Sequence, residues 1–129
     1  MVVIKFWNNM CIENELIKDI IERAPINSCW EFTYSWDRIE DLFNGRGIFN
    51  YEFKIFSTIL DDIKKGYFIS ILDKYNFSDW IVHQTVKSHS GKIIFESFDH
   101  LAFSLISSDF PENQLLLNKY SEADLLELK

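Results

Sequence analysis

Residues 80–98, WIVHQTVKSHSGKIIFESF, decide the fold because they contain the clearest β-hairpin pattern in the chain. Residues 80–87 and 92–98 are rich in β-branched and aromatic side chains, which favour strands. Residues 88–91, between them, end in a glycine and suit a tight turn. The stretch therefore predicts two antiparallel strands joined by a short loop.

The register of this hairpin decides which side chains face the core. A pairing of Lys87 with Lys92 would set His83 opposite Glu96, although a slip of one residue would change both pairs. In that register, one face carries apolar residues and is expected to face the core: Trp80, Val82, Val86, Ile93 and Phe95. The other face carries His83, Thr85 and Glu96.

Upstream of the hairpin, one helix and one strand are well marked. Residues 12–23 carry apolar side chains at helical spacing and predict an amphipathic helix that Pro25 ends. Residues 29–37 alternate apolar and polar side chains and predict a half-buried strand. Its apolar face would consist of Trp30, Phe32, Tyr34 and Trp36.

The middle of the chain gives mixed patterns. Residues 38–43 fit a helical turn that ends at the glycines of residues 44–47. Residues 48–65 fit both spacings and are assigned as a strand that leads into a helix. Residues 67–72 fit a short strand, and residues 73–76 fit a turn.

The two ends complete the fold prediction. Residues 2–7 are β-branched and aromatic and predict an opening strand, while residues 115–117 and the segment after Ser121 predict two short helices. Together these elements predict an α+β fold over residues 1–129, a single layer-type domain with helices packed on a largely antiparallel sheet.

Composition excludes several classes of function. The net charge of −7 argues against direct binding to nucleic acid, which requires clustered Lys and Arg. No stretch approaches the eighteen or so apolar residues of a membrane span. Cys11 and Cys29 match neither a redox nor a zinc spacing, so we expect buried free thiols and a cytoplasmic protein.

Candidate catalytic groups are sparse. His83, Glu96 and Asp99 could form an acid/base site, because an imidazole beside a carboxylate can be held poised near neutral pH. However, no nucleophile motif accompanies them, and the histidines lack a metal-binding spacing. Residues 44–47 lack the lysine of a phosphate-binding loop. We therefore expect no catalytic residue, metal or cofactor.

Acidic residues near aromatic ones favour a different kind of site. Four carboxylates surround Trp36 in the sequence, and two more lie at the end of the hairpin. Carboxylates at the rim of aromatic side chains suit a basic protein partner, although an ordinary acidic surface would look the same. The candidate partner-binding residues are Glu31, Trp36, Asp37, Glu40, Asp41, Glu96 and Asp99.

Two segments of the hairpin carry a family resemblance. Residues 80–83, WIVH, followed by residues 91–99, GKIIFESFD, resemble the hairpin of small bacterial immunity proteins. These proteins belong to contact-dependent growth inhibition and other polymorphic toxin systems. The resemblance covers about a sixth of the chain and identifies no particular toxin.

The resemblance implies a cytoplasmic inhibitor, not an enzyme, that binds one cognate toxin domain and blocks it. Such a toxin is typically a nuclease with a cationic active-site cleft, which suits the negative charge of this chain. Two alternatives stay open. One is a small α+β enzyme or ligand-binding domain that uses His83, Glu96 and Asp99, and the other is a structural adaptor subunit.

Overall fold

A computed structural model describes residues 11–128 of the chain, so the strand predicted at residues 2–7 lies outside the described residues. Within residues 11–128 the helices are α1 (Ile12–Arg23), α2 (Arg38–Leu42), α3 (Asp62–Leu72) and α4 (Asn113–Lys119), with 3₁₀ turns at Phe77–Asp79 and Ser121–Ala123. The strands are β1 (Cys29–Tyr34), β2 (Ile48–Asn50), β3 (Ile55–Ile59), β4 (Ile81–Lys87), β5 (Ile93–Phe98), β6 (Phe103–Ser107) and β7 (Leu125–Leu128).

The seven strands of residues 11–128 form one sheet in the order β2-β3-β1-β4-β5-β6-β7. Every neighbouring pair is antiparallel except β6 and β7, which run parallel. The helices pack against this sheet. The prediction of an α+β fold with a largely antiparallel sheet is therefore confirmed.

The helices of the described chain share one side of the sheet, which we call the core face. The Phe68 ring of α3 lies 5.3 Å from the Trp30 ring of β1. Helix α1 packs beside α3. Tyr120 follows α4, and its hydroxyl oxygen lies 3.1 Å from the Glu15 carbonyl oxygen of α1. We call the opposite side of the sheet the outer face.

Helix α1 forms as predicted because its apolar residues recur three and four apart and enter the core. Four of its side chains are fully buried: Leu16, Ile17, Ile20 and Ile21. Arg23 donates to Asp19 one turn earlier, at 2.7 Å, which supports the last turn. The helix ends before Pro25, whose ring cannot continue it.

Strand β1 is shorter than predicted. Trp30, Phe32 and Tyr34 are buried on the core face as expected, but the strand ends at Tyr34. The pairing of β1 with β4 shifts register between Thr33 and Tyr34, because β4 carries one extra residue there. The predicted strand end at residue 37 is therefore wrong, although Trp36 beyond the strand is half-buried against the core.

Residues 67–72, predicted as a strand, belong to helix α3. The Asp61 carboxylate accepts a hydrogen bond from the Lys64 amide at 2.8 Å and so caps the start of the helix. Phe68, Ile71 and Leu72 are buried at helical spacing. The cap and the core packing outweigh the strand preference of these residues and the cost of Gly66 inside the helix.

The predicted hairpin is present as β4 and β5, and its antiparallel pairing is confirmed. Its register differs by two residues, because Thr85 and not His83 lies opposite Glu96. Val86 and Phe95 are buried as predicted. The irregularity in β4 gives the core position near its start to Ile81, so the assignment of Val82 to the core face is wrong. Trp80 precedes the strand and is partly buried against the core.

Of the two short helices predicted near the C-terminus, only the first is present within residues 11–128. Helix α4 covers the predicted residues 115–117. After the 3₁₀ turn at residues 121–123 the chain forms strand β7 instead of a helix. Strand β7 supplies the backbone partners that the edge of β6 would otherwise lack, and it buries Leu125 in the core.

Two further predictions concern the environment of the chain. Cys11 and Cys29 are free thiols, but each is half-buried and not fully buried. Within residues 11–128, no helix combines the length and the apolar character that crossing a membrane requires.

Candidate functional site

The outer face of the sheet carries a row of side chains that crosses all seven described strands. Each member stands opposite the next in the pairing of adjacent strands. We call this set the central row: Ile48, Ser57, Glu31, Thr85, Glu96, Leu105 and Leu126. It has carboxylates in its middle and apolar residues towards its ends, and it contains neither lysine nor arginine.

Glu31 and Glu96 lie on the two sides of Thr85 in the central row. Glu31 is exposed on β1, while the side chain of Glu96 on β5 is 20% exposed. Two strand spacings separate their backbones, which is about 10 Å. The two negative charges therefore share one surface at the centre of the sheet, although 65 residues of sequence separate them.

His83 is hydrogen-bonded to Glu96 without being its direct strand partner. Their Nε2 and Oε2 atoms are 2.8 Å apart, and the imidazole nitrogen donates because a carboxylate can only accept. The Phe98 ring lies 5.1 Å from the imidazole. Phe98 also stacks on Phe103 of β6 at 4.8 Å. The predicted contact between His83 and Glu96 is thus present, through a diagonal arrangement.

Asp99 does not complete this pair. It occupies the turn from β5 to β6, where Asp99, His100 and Leu101 all have positive φ angles of 52°, 57° and 62°. The His100 amide donates to the Val82 carbonyl at 3.0 Å, which holds the turn against β4. Within residues 11–128, no hydrogen bond or ion pair joins Asp99 to His83. The structure therefore brings His83 and Glu96 together, whereas Asp99, the third proposed acid/base group, does not bond to His83 in the described part of the chain.

The carboxylates after β1 form a separate group that already has a cation. Lys54 forms an ion pair with Asp37 and lies 4.0 Å from Glu40. Glu40 also accepts a hydrogen bond from the Tyr34 hydroxyl at 2.7 Å. Burial and this carboxylate raise the pKa of Tyr34. The hydrogen bond to Asp37 raises the pKa of Lys54, so Lys54 stays charged and offsets this group.

Trp36 belongs to an aromatic cluster beyond the end of β1. Its ring lies 3.9 Å from that of Trp80 and 6.2 Å from that of Tyr75. The Arg38 guanidinium is 6.0 Å from the centre of the Trp36 ring. Trp36 is half-buried and packs against the core. Much of its surface therefore serves the fold, while Asp41 nearby is exposed.

The structure thus regroups the predicted site residues. Glu31 joins Glu96 on the outer face, whereas Trp36, Asp37 and Glu40 lie together after β1. Sequence reasoning missed the apolar part of the outer face, which includes Phe103, Leu105 and Leu126. The alternation in Phe103-Ser104-Leu105-Ile106 indicates a strand with two apolar sides, but only the pairing shows which side faces outward.

Three clefts lie on the described surface, and one of them borders the central row. One has a volume of about 550 Å³ and lies by β6 and β7, where Lys92 and Glu127 line it. Another, of about 240 Å³, lies between α1 and Tyr120. A third, of about 200 Å³, is lined by Ile48 and Ser57 of the central row and by Ile59. None of these three includes His83 or Glu96. Within residues 11–128, no group of three or more His, Cys, Asp or Glu residues is placed to hold a metal ion.

The side chains of His83 and Glu96 are 42% and 20% exposed, so solvent reaches both groups. A comparison of the chain with models of known protein families, with curated proteins and with solved structures found no match.

Proposed function

We propose that this protein is an immunity protein that binds and blocks a cognate toxin domain. One observation carries the proposal: Glu31 and Glu96 share an outer sheet face with exposed apolar side chains. Carboxylates and apolar residues on a broad face suit recognition of a basic protein, because the charges select the partner and apolar contacts supply affinity.

The net charge supports the same proposal. A chain with a charge of −7 attracts a basic domain, and it repels nucleic acid that would compete for the same partner. In the proposed mechanism, carboxylates of this chain occupy the place of substrate phosphates in the cationic cleft of a nuclease toxin. The hairpin resemblance to immunity proteins agrees with this. The two free thiols support action in the cytoplasm of the producing bacterium.

The test is to express the tagged protein together with the toxin domain encoded beside its gene. We expect both chains to purify together in equal proportion, with the toxin's activity blocked, and mass spectrometry identifies the partner. Purification of the tagged protein alone, despite confirmed expression of the toxin domain, would contradict the proposal.

The hydrogen bond between His83 and Glu96 favours a second candidate, an enzyme with an acid/base pair. The two functions differ in stoichiometry. An inhibitor blocks the toxin only up to equal proportions, whereas an enzyme that modifies the toxin inactivates an excess over time. We expect toxin activity to be fully blocked when the two proteins are present in equal proportions, and an excess of toxin to stay active over time. We also expect the variant His83→Gln to retain inhibition, which an acid/base mechanism would not allow.

A further inference from the structure

We propose that the partner docks on the outer face of the sheet and presents an arginine side chain between Glu31 and Glu96. This inference rests on the proposed function and adds the surface and the chemistry of recognition. The central row is its structural basis, since it places both carboxylates on one surface with Thr85 between them. A single basic side chain that approaches Thr85 would have a carboxylate on each side.

The apolar residues of this face supply the rest of the contact. Four of the exposed large hydrophobic side chains lie on it: Ile48 at 75%, Ile59 at 49%, Phe103 at 42% and Leu126 at 56% exposure. Exposed apolar patches on a protein surface often mark sites of protein interaction. Such residues would gain from burial against a partner, so the face suits a protein segment better than a small cation.

The charge of the face determines which partner fits. The central row has two carboxylates and no basic residue. Lys87 lies further along β4, opposite Cys29, and forms no ion pair with Glu31 within residues 11–128. The His83 imidazole donates to one oxygen of Glu96 and leaves the carboxylate able to accept further bonds.

Arginine suits this position better than lysine does. Its planar guanidinium carries five donors, so one side chain can bond carboxylates on two sides. The other acidic group is a weaker candidate, because Lys54 already pairs with Asp37 and approaches Glu40. A basic partner would have to displace that lysine.

The test uses a defined probe, a short peptide in which glycine and arginine alternate. The matched control peptide has citrulline, a neutral side chain of the same shape, in place of arginine. Each peptide is titrated into the ¹⁵N-labelled full chain, and amide chemical shifts are followed at low salt. We expect the arginine peptide to shift the amides of the central row, with the largest changes at Glu31, Thr85 and Glu96. The citrulline peptide should shift them little.

Two double variants, each of which removes two negative charges, distinguish binding at this site from non-specific electrostatic attraction. We expect Glu31→Gln with Glu96→Gln to weaken peptide binding by about 10-fold, the order of a lost charged contact. Asp37→Asn with Asp41→Asn should weaken it by less than about 2-fold. Gln at position 96 can still accept the bond from His83, and thermal unfolding monitors the fold of both variants. Equal weakening by the two pairs, or shifts centred on Asp37 and Asp41, would overturn the inference.

Binding of the toxin domain to these two double variants distinguishes a failure of this inference from a failure of the proposed function. Loss of toxin binding in the Glu31→Gln, Glu96→Gln variant, with binding retained in the Asp37→Asn, Asp41→Asn variant, supports both. A toxin complex that forms equally well with either variant would overturn the docking surface and leave the immunity function standing. If the arginine peptide binds the outer face but no toxin is recovered, the surface stands and the immunity function fails.

Discussion

Asp19 of α1 is a carboxylate whose role is structural. It is only 8% exposed and accepts hydrogen bonds from Arg23 at 2.7 Å, from Lys119 at 2.8 Å and from the Tyr120 hydroxyl. These bonds tie the end of α4 to α1. Burial by itself raises the pKa of Asp19, but the bonds from Lys119 and Tyr120 outweigh burial and lower it overall.

Replacing this carboxylate should destabilise the protein. We expect Asp19→Asn to lower the free energy of unfolding by about 2 kcal/mol, the order of a hydrogen-bonded buried charge. Urea unfolding followed by circular dichroism measures the change. The control is Glu22→Gln on the same helix, where the side chain is exposed. This variant should change the free energy of unfolding by no more than about 0.5 kcal/mol. Equal effects of the two variants would contradict the role of Asp19.

The same interaction predicts a dependence on pH. Folding lowers the pKa of Asp19, so its contribution is fully present above the unfolded value of about 3.9 and is lost as pH falls through the folded value. The stability difference between the wild type and Asp19→Asn should be constant from about pH 7 to about pH 5 and shrink below about pH 4. A stability difference that grows as the pH falls would contradict a lowered pKa of Asp19 in the folded state.

Two glycines in neighbouring elements have opposite roles. Gly47 precedes β2, where an added Cβ would lie 2.4 Å from the Ser57 carbonyl oxygen and 2.7 Å from the Phe56 ring. The hairpin of β2 and β3 therefore needs the absence of a side chain there. Gly66, inside α3, has nothing within 4 Å of an added Cβ, so only its backbone freedom matters.

Alanine should therefore have opposite effects in the two elements. We expect Gly47→Ala to destabilise the protein by about 2 kcal/mol, because the backbone of β3 must move. We expect Gly66→Ala to stabilise it by about 0.5–1 kcal/mol through helix propensity. Urea unfolding of both variants checks the signs. A neutral Gly47→Ala would mean that β2 does not lie as close to β3 as described.

The charge of the whole molecule governs how fast a basic partner would reach it. With a net charge of −7, the long-range attraction speeds association and salt screens it. Once the toxin domain is in hand, we expect its association rate constant to fall about 10-fold between about 50 and 500 mM salt. Surface plasmon resonance measures the rates. The dissociation rate should change less, because apolar contacts hold the complex, and an association rate unaffected by salt would count against a basic partner.

Local patterns in the sequence were enough for the class of fold. The helical spacing of α1, the alternation in β1 and the turn signal of the β4 and β5 hairpin can each be seen within a short stretch of sequence. The errors lie where distant contacts compete with local preference. Residues 67–72 prefer strand but lie in a capped, buried helix, and residues 125–128 join the edge of β6 as a strand.

By itself, the sequence determined that this is an acidic α+β domain, because composition and periodicity are properties of the chain. It placed His83 opposite Glu96 in one possible register, whereas the structure pairs Thr85 with Glu96 and brings His83 to Glu96 diagonally. Only the tertiary structure decided that Glu31 and Glu96 share one face and that Lys54 offsets Asp37 and Glu40. The physical reason is that a strand's alternation defines two faces, whereas bulges and the pairing of distant strands set which residues become neighbours across the sheet.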